Sequence, residues 1–346
     1  MAEEYPPFIC PDCKTEYTMA EADQSGSFCT EESCADNMTM LLKVESEEPE
    51  EVSEVLEDGE DAPKEKVVEP SGRKEIGLGI LVCDVSGSME DFAYAGRRVS
   101  KLSMVAGSVA RGIWDLVEQM EENARKNAYV ALIYFAKEAI MGKDEDGQPF
   151  IKSIYDIGEF FDTARDFSDF LMMSMREAQR QIPGNPIKEL VFGKNNSKHF
   201  TNITSGLELA HDIVNAGLFG NLTDFGGPEN IKVIEDVCIT PTGGYVTVPN
   251  IRCLIYSDGA HNHPKGSKVT NPFSGDDTSV LLATYFGSSK DKGGAQMQEL
   301  AALCPKHGDA SFFLIDDAEG YQKLRGLFRM SSGVSGFCPN CMPRDY

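Results

Sequence analysis

The segment Cys83-Asp84-Val85-Ser86-Gly87-Ser88-Met89 places a carboxylate and two hydroxyls at alternate positions, directly after the near-continuous apolar run Ile76 to Val82. Where a buried strand turns into a loop, that spacing aims Asp84, Ser86 and Ser88 at one point. Such oxygens are hard donors, suited to Mg²⁺, Mn²⁺ or Ca²⁺. A set with so few anionic ligands leaves the cation electrophilic and incompletely coordinated by the chain.

A second chemistry is carried by cysteine. Cys10-x2-Cys13 and Cys29-x4-Cys34 lie in a segment whose main hydrophobes are Phe8, Ile9, Tyr17, Phe28, Leu41 and Leu42, too few for a core of its own. Metal ligation would supply the missing folding energy, and two turn-borne thiolate pairs make a tetrahedral zinc site. Residues 7 to 44 thus resemble a zinc ribbon; a redox pair would need a βαβ context that is lacking here. Cys83, Cys238 and Cys253 fall in strand-like apolar runs and read as small core residues. Cys304-x2-His307 and Cys338-x2-Cys341 have metal-ligand spacing and suggest a second zinc site. The alternatives are a loop histidine beside a core cysteine, or a tail pair that completes or duplicates the N-terminal site.

These groups need a scaffold, and the hydrophobic pattern supplies one. Ile76 to Val82 reads as a strand buried on both faces. A helix follows over Val99 to Met120, then a strand at Tyr129 to Phe135, a helix at Thr201 to Ala216 and a strand at Ile251 to Tyr256. Strands at Val280 to Phe286 and Ser311 to Ile315 alternate with helices at Ala295 to Leu303 and about Ala318 to Met330. The expected fold class is α/β, a doubly wound and mostly parallel sheet with helices on both faces. Ligands of such sheets bind outside the carboxyl ends of the strands. Two regions exceed this plan. In the first, about 142–198, Ile157, Phe160, Phe161, Ala164, Phe167, Leu171 and Met175 make one helical stripe, read as an extra packed helix or a Met- and Phe-rich partner groove. In the second, about 220–250, Lys232 to Val248 reads as a β-hairpin, attached either near the cation site or at the opposite edge.

With those elements in place, the chain resembles the von Willebrand factor A family, whose metal-ion-dependent adhesion site combines D-x-S-x-S with a Thr from a second loop and an Asp from a third. Asp84, Ser86 and Ser88 match the first part. His199-Phe-Thr201-Asn202-Ile203-Thr-Ser-Gly206-Leu207 resembles the family's T-N-I-x-x-G-L segment, and Ser257-Asp258-Gly259 follows the strand in the third position. The resemblance implies that Ser86, Ser88 and Thr201 contact the cation directly while Asp84 and Asp258 orient ligands. It also implies an open position for a partner's Asp or Glu. Lys198-His199-Phe200 departs from the glycines common before the Thr, which would restrict the partner's approach. The α/β sheet topology would let Cys304, His307, Cys338 and Cys341 converge at the end opposite the cation.

The chain of 346 residues carries a net charge of −24. Of this, −17 lies in residues 1–61, and Glu45 to Asp61 holds ten carboxylates and no cation. The expected organisation is a zinc ribbon at 1–44, an acidic tether at 45–74, an α/β domain at 75–332 and a CxxC tail at 333–346. So acidic a chain argues against polyanion binding, and no apolar run of membrane-spanning length occurs. The start, MAEEYPPFICPDC, lacks a leader pattern, which reads as cytoplasmic. The favoured function is a non-catalytic adaptor binding Mg²⁺ (or Mn²⁺ or Ca²⁺) and Zn²⁺. Intracellular relatives by resemblance, including TerY-like proteins, imply a MoxR-type AAA+ ATPase or a kinase or phosphatase system as partner. The contrasting class is a metal-assisted phosphoester hydrolase using Asp258, His261 and His263 as its acid–base set.

Overall fold

The computed structural model describes residues 73–91, 99–182, 200–239, 245–274, 280–288, 290–302, 312–315 and 324, together with three short strands near the N-terminus. The chain divides into two units, Met1–Gly72 and Arg73–Tyr346.

In the first unit, β1 (Phe8–Ile9), β2 (Glu16–Tyr17) and β3 (Leu42–Lys43) form an antiparallel sheet in the order β2-β1-β3. In register, Phe8 pairs with Tyr17 and Lys43, and Ile9 with Glu16 and Leu42. Residues 10–15, which carry Cys10 and Cys13, connect β1 to β2. All four N-terminal cysteines lie outside the described residues, as do residues 45–72 of the tether and Cys304, His307, Cys338 and Cys341; Lys74, expected at the end of the tether, already begins the first strand of the second unit.

The second unit is built on β4 (Lys74–Asp84), β5 (Ala128–Phe135), β6 (Ala139–Met141), β7 (Ile151–Ser153), β8 (Ile231–Val233), β11 (Ile251–Ser257), β12 (Val280–Phe286) and β13 (Phe312–Ile315). Between β8 and β11 lies a separate antiparallel ribbon, β9 (Glu235–Ile239) with β10 (Tyr245–Pro249). The main sheet runs β13-β12-β11-β4-β5-β6, parallel except where β6 and β7 pair antiparallel with β5. β4 is completely buried from Ile76 onward, as its two-faced apolar run predicts.

Period-two alternation divides β4 and β5 between two cores. Leu81, Cys83, Leu132 and Tyr134 face one side, where α1 (Lys101–Gln119), α3 (Ile154–Phe160) and α4 (Ala164–Gln181) pack; α2 (Glu122–Asn127) is a short turn before β5. Ile80, Val82, Ile133 and Phe135 face the other, covered by α5 (Ile203–Leu218) and α6 (Lys292–Ala302). From β4 the chain first builds outward through β5 and β6 and later returns to build the other way through β11, β12 and β13. The winding therefore reverses between β4 and β11, which makes the crevice at their carboxyl ends the switch point where open α/β sheets take ligands.

The structure revises one expectation and decides between two alternatives for another element. The single stripe from Ile157 to Met175 is two helices. α3 ends at Phe161, and Thr163 restarts the chain as an N-cap, its side chain accepting from the Asp166 N–H. The break turns Phe160 outward, 60% exposed, and folds Phe161 in against Phe167 and Phe170, with ring centroids 5.0 and 5.1 Å away. Phe167, Leu171 and Met175 are fully buried facing α1, so most of the stripe is core. The hairpin's point of attachment is also settled. The Ile234 N–H bonds the Ile76 carbonyl and the Leu78 N–H bonds the Asn250 carbonyl, so the ribbon leaves from the amino ends of the strands, opposite Asp84. Of the core cysteines, Cys83 and Cys253 are buried, on opposite faces; the Cys238 side chain lies outside the described residues.

Candidate metal site

At the end of β4 the ladder continues one residue past Asp84, the Val85 N–H bonding the Phe135 carbonyl. The chain then turns through a 3₁₀ segment, Gly87–Glu90, anchored by the fully buried Met89. Asp84 and Ser86 are buried, and Ser88 is half-buried at the mouth. The Ser86 N–H donates to Asp84 Oδ1 at 2.8 Å, and the Ser86 and Ser88 hydroxyls lie 3.1 Å apart.

β11 delivers the second carboxylate. Ser257, its last residue, donates its hydroxyl to Asp84 Oδ2 at 2.6 Å, and the next residue, Asp258, accepts from Ser88 Oγ at 2.7 Å. Asp258 Oδ2 also accepts from the Lys101 ammonium at 2.5 Å. Its side chain is only 1% exposed. Thr201, also buried, is pinned against the same loop. Its N–H donates to Asn262 Oδ1 at 2.9 Å, and the Asn262 N–H returns a bond to the Thr201 carbonyl at 3.0 Å. Asn202 ties the segment to the end of β5, its N–H and side-chain amide donating to the carbonyls of Ala136 and Lys137. It also caps α5 by accepting from the Ser205 N–H. The motif's glycine sits in close packing: a Cβ on Gly206 would stand 3.0 to 3.1 Å from Val82 and Phe135, which would have to give by a few tenths of an ångström to admit it.

The structure thus gathers Asp84, Ser86, Ser88, Asp258 and Thr201 at the switch point. Ser257, Asn262 and Lys101 join them and were not singled out by sequence. Ser257 and Asn262 have no spacing signature. For Lys101 a signal existed: it is the first residue of α1, where a cation opposes the helix dipole and no acidic residue sits in the first turn to offset it.

Electrostatics make the site costly without a cation. Burial, and then the nearby Asp258 carboxylate, push the Asp84 carboxyl from its ordinary 3.8 up to about 7, although bonds from Ser257 and Ser86 pull the other way. Near neutral pH two buried acids therefore share a pocket that disfavours charging both. Carboxylates backed by hydroxyls at that spot are the donor chemistry a small divalent ion requires, so the residues present fit such an ion. Among the described residues no group of three or more His, Cys, Asp or Glu converges, so hydroxyl oxygens outnumber carboxylates in the candidate donor set.

The histidines near the site sit differently from the pattern of an acid–base pair. His261 is 3% exposed, with ring Nε2 held 2.8 Å from Ser267 Oγ and its backbone N–H donating to Gln296 Oε1. Burial, with His263 and Lys292 adding, holds its pKa below the ordinary 6.5. The His263 ring packs edge-on against Phe200, centroids 4.9 Å apart. Both shape the rim of the loop.

No family model and no curated protein matches the sequence. Among solved structures, the chain is similar to a von Willebrand factor type A protein from Catenulispora acidiphila, with 11% identity, TM-score 0.42, and 75% of this chain and 43% of that chain covered. It is also similar to the conserved hypothetical protein BatB from Bacteroides thetaiotaomicron, with 14% identity, TM-score 0.38, and 74% and 98% covered. A third is proximal thread matrix protein 1 from the mussel byssus, described with a zinc-occupied MIDAS motif, at 11% identity, TM-score 0.39, and 74% and 48% covered. The chain spans less than half the length of the first and third of these. The fold itself is a doubly wound, mostly parallel α/β sheet with helices on both faces. Site and function rest on this chain's own geometry. No helix among the described residues is long and apolar enough to cross a membrane.

Proposed function

We propose that this protein is a non-catalytic adaptor whose α/β unit holds a divalent cation at the switch point and captures an acidic side chain of a protein partner. The observation that carries the reading is the convergence of two buried carboxylates and the Ser86, Ser88 and Thr201 segments at the carboxyl ends of β4 and β11. Ser86, Ser88 and Thr201 would hold the ion, Mg²⁺ or otherwise Mn²⁺ or Ca²⁺, with Asp84 and Asp258 orienting and balancing it. The bound ion would supply an electrophilic centre for a carboxylate. The rest is done by the chain: Ser257 and the Ser86 N–H fix Asp84, Lys101 and Ser88 fix Asp258, and Asn262 fixes Thr201.

The N-terminal unit is proposed as a zinc ribbon ligated by Cys10, Cys13, Cys29 and Cys34 and serving as a second docking module. Supporting this, Cys10 and Cys13 fall in the connection of the β1–β2 hairpin, where zinc ribbons carry a ligand pair. Cys304, His307, Cys338 and Cys341 are proposed as a second zinc site, and a cytoplasmic AAA+ ATPase, kinase or phosphatase assembly as the setting. The experiment is an affinity purification of wild type against Asp84→Ala with Ser86→Ala, in Mg²⁺, with bound metals quantified. Loss of a Mg²⁺-dependent partner in the variant is expected. Identical partner composition for both would sink the adaptor reading.

A further inference from the structure

We propose that Lys101 is a built-in counter-cation of the site, which holds the affinity for a divalent ion down and the affinity for an incoming carboxylate up. The inference rests on the divalent-cation reading above and concerns how that site is regulated.

All four carboxylate oxygens of the site have a donor already. Asp84 Oδ1 accepts from the Ser86 N–H at 2.8 Å and Oδ2 from Ser257 at 2.6 Å. Asp258 Oδ1 accepts from Ser88 at 2.7 Å and Oδ2 from Lys101 at 2.5 Å. Three of those donors are neutral; Lys101 alone brings charge. Its side chain is 16% exposed, and its position is built rather than incidental. The Lys101 N–H bonds the Asp91 carbonyl at 3.0 Å, which holds the start of α1 beside the Ser86–Ser88 turn, and Ser100 caps the helix by accepting from the Ser103 N–H. The helix offers this cation no favourable dipole, so its electrostatic partner is Asp258, 157 positions away in the sequence.

Charge arithmetic gives the consequence. Two ionised carboxylates and one ammonium leave the cation-free site at minus one. A dication takes it to plus one, and one incoming carboxylate returns it to neutral. Without Lys101 the loaded site would be neutral by itself, and a carboxylate would overfill it. Lys101 thus weakens the ion and favours the incoming anion, while the attraction between ion and anion is their own.

The test is calorimetric titration of the full chain with Mn²⁺ at pH 8, with and without acetate as the carboxylate probe. Lys101→Met should bind Mn²⁺ roughly tenfold tighter or more in the absence of acetate, since at short range in a half-buried pocket the removed repulsion is large. Acetate should tighten Mn²⁺ binding by wild type and by Lys101→Met alike, but Mn²⁺-loaded Lys101→Met should need roughly tenfold more acetate than wild type, while Lys101→Arg should behave as wild type. Lys101→Gln is a second neutral variant with the same expectation, and melting curves check that each variant is folded. A neutral variant that binds Mn²⁺ no tighter than wild type overturns the assignment. Asp84→Ala with Ser86→Ala separates the two readings. If that variant binds Mn²⁺ as wild type does, the cation site itself is wrong, and Lys101 falls with it. If it loses binding while the neutral Lys101 variants are no tighter than wild type, only the Lys101 assignment falls.

Discussion

Replacing Asp84 with Asn should stabilise the protein while disabling the site. In the absence of divalent cations Asp84 is fully buried, and its carboxyl titrates at about 7 instead of 3.8. An acid whose folded pKa lies above its unfolded value holds its proton in the fold through that window. Stability is therefore unaffected below pH 3.8, falls as pH rises toward 7, and carries the full penalty above it. Holding the proton from 3.8 up to about 7 is equivalent to about 4 kcal/mol. The amide recovers most of the geometry: its oxygen accepts from the Ser86 N–H, and its NH₂ donates to Ser257 Oγ, which keeps a partner in the Gly259 carbonyl 3.3 Å away. Allowing about 1 kcal/mol for the exchanged hydrogen bond leaves a gain of about 3 kcal/mol at pH 8. That is roughly 5–10 °C in Tm for a unit of this size, shrinking toward nothing at pH 5. Thermal melts of wild type and Asp84→Asn at both pH values, in cation-free buffer, measure it directly. Saturating Mg²⁺ should raise the wild-type Tm and leave the variant where it was. A variant no more stable than wild type at pH 8, or a gap equal at the two pH values, would refute the electrostatic account.

Gly259→Ala places a Cβ 2.9 Å from Thr201 Oγ1, so cation affinity should drop about 10–100-fold by titration with little change in the cation-free Tm. Leu171→Ala, at a fully buried position facing α1, should cost about 2–5 kcal/mol in urea unfolding, whereas Met173→Ala, 63% exposed on the same helix, should stay within about 0.5 kcal/mol. If Met173 proved as costly as Leu171, the packed-helix assignment would be wrong. Elemental analysis should find zinc that disappears with Cys10→Ser plus Cys13→Ser. Any zinc remaining is expected to go with Cys338→Ser plus Cys341→Ser.

The parts of this molecule readable from sequence are those governed by a short period. β4 was legible because a strand buried on both faces has no polar interruption until it reaches Asp84, and the alternate spacing of Asp84, Ser86 and Ser88 survives the turn. β6 and β7 were not, because three residues of intermediate or mixed burial at a sheet edge carry too little pattern. The break between α3 and α4 was hidden for the opposite reason: Phe160 and Phe161 continue the apolar periodicity across a capping Thr163, and hydrophobicity alone cannot reveal which ring turns outward. The pairing of Lys101 with Asp258, 157 positions apart, has no local signature beyond an unfavourable charge at a helix start. The attachment end of the β9–β10 ribbon depends on β8 pairing with the first residues of β4, a register that neither strand specifies by itself.

The cost of Asp84 bears on why the residue is there. The strand does not need it: the ladder to β5 runs through backbone groups, and Val85 continues it beyond the carboxylate. The core does not need it either, since Cys83 and Val85 on either side are already fully packed. A residue that the fold would exchange for a neutral isostere with a gain in stability is what the proposed cation site requires and the scaffold alone does not. The second carboxylate sharpens the point, because Asp258 raises the penalty on Asp84 instead of relieving it. Lys101 supplies one positive charge against two negative ones, so the pocket remains short of neutrality. A dication overshoots by one charge, and a single carboxylate from outside closes the balance. The same three side chains thus account for the strain of the site as it stands, and would account for the proposed preference for a dication and the anionic character of the proposed partner.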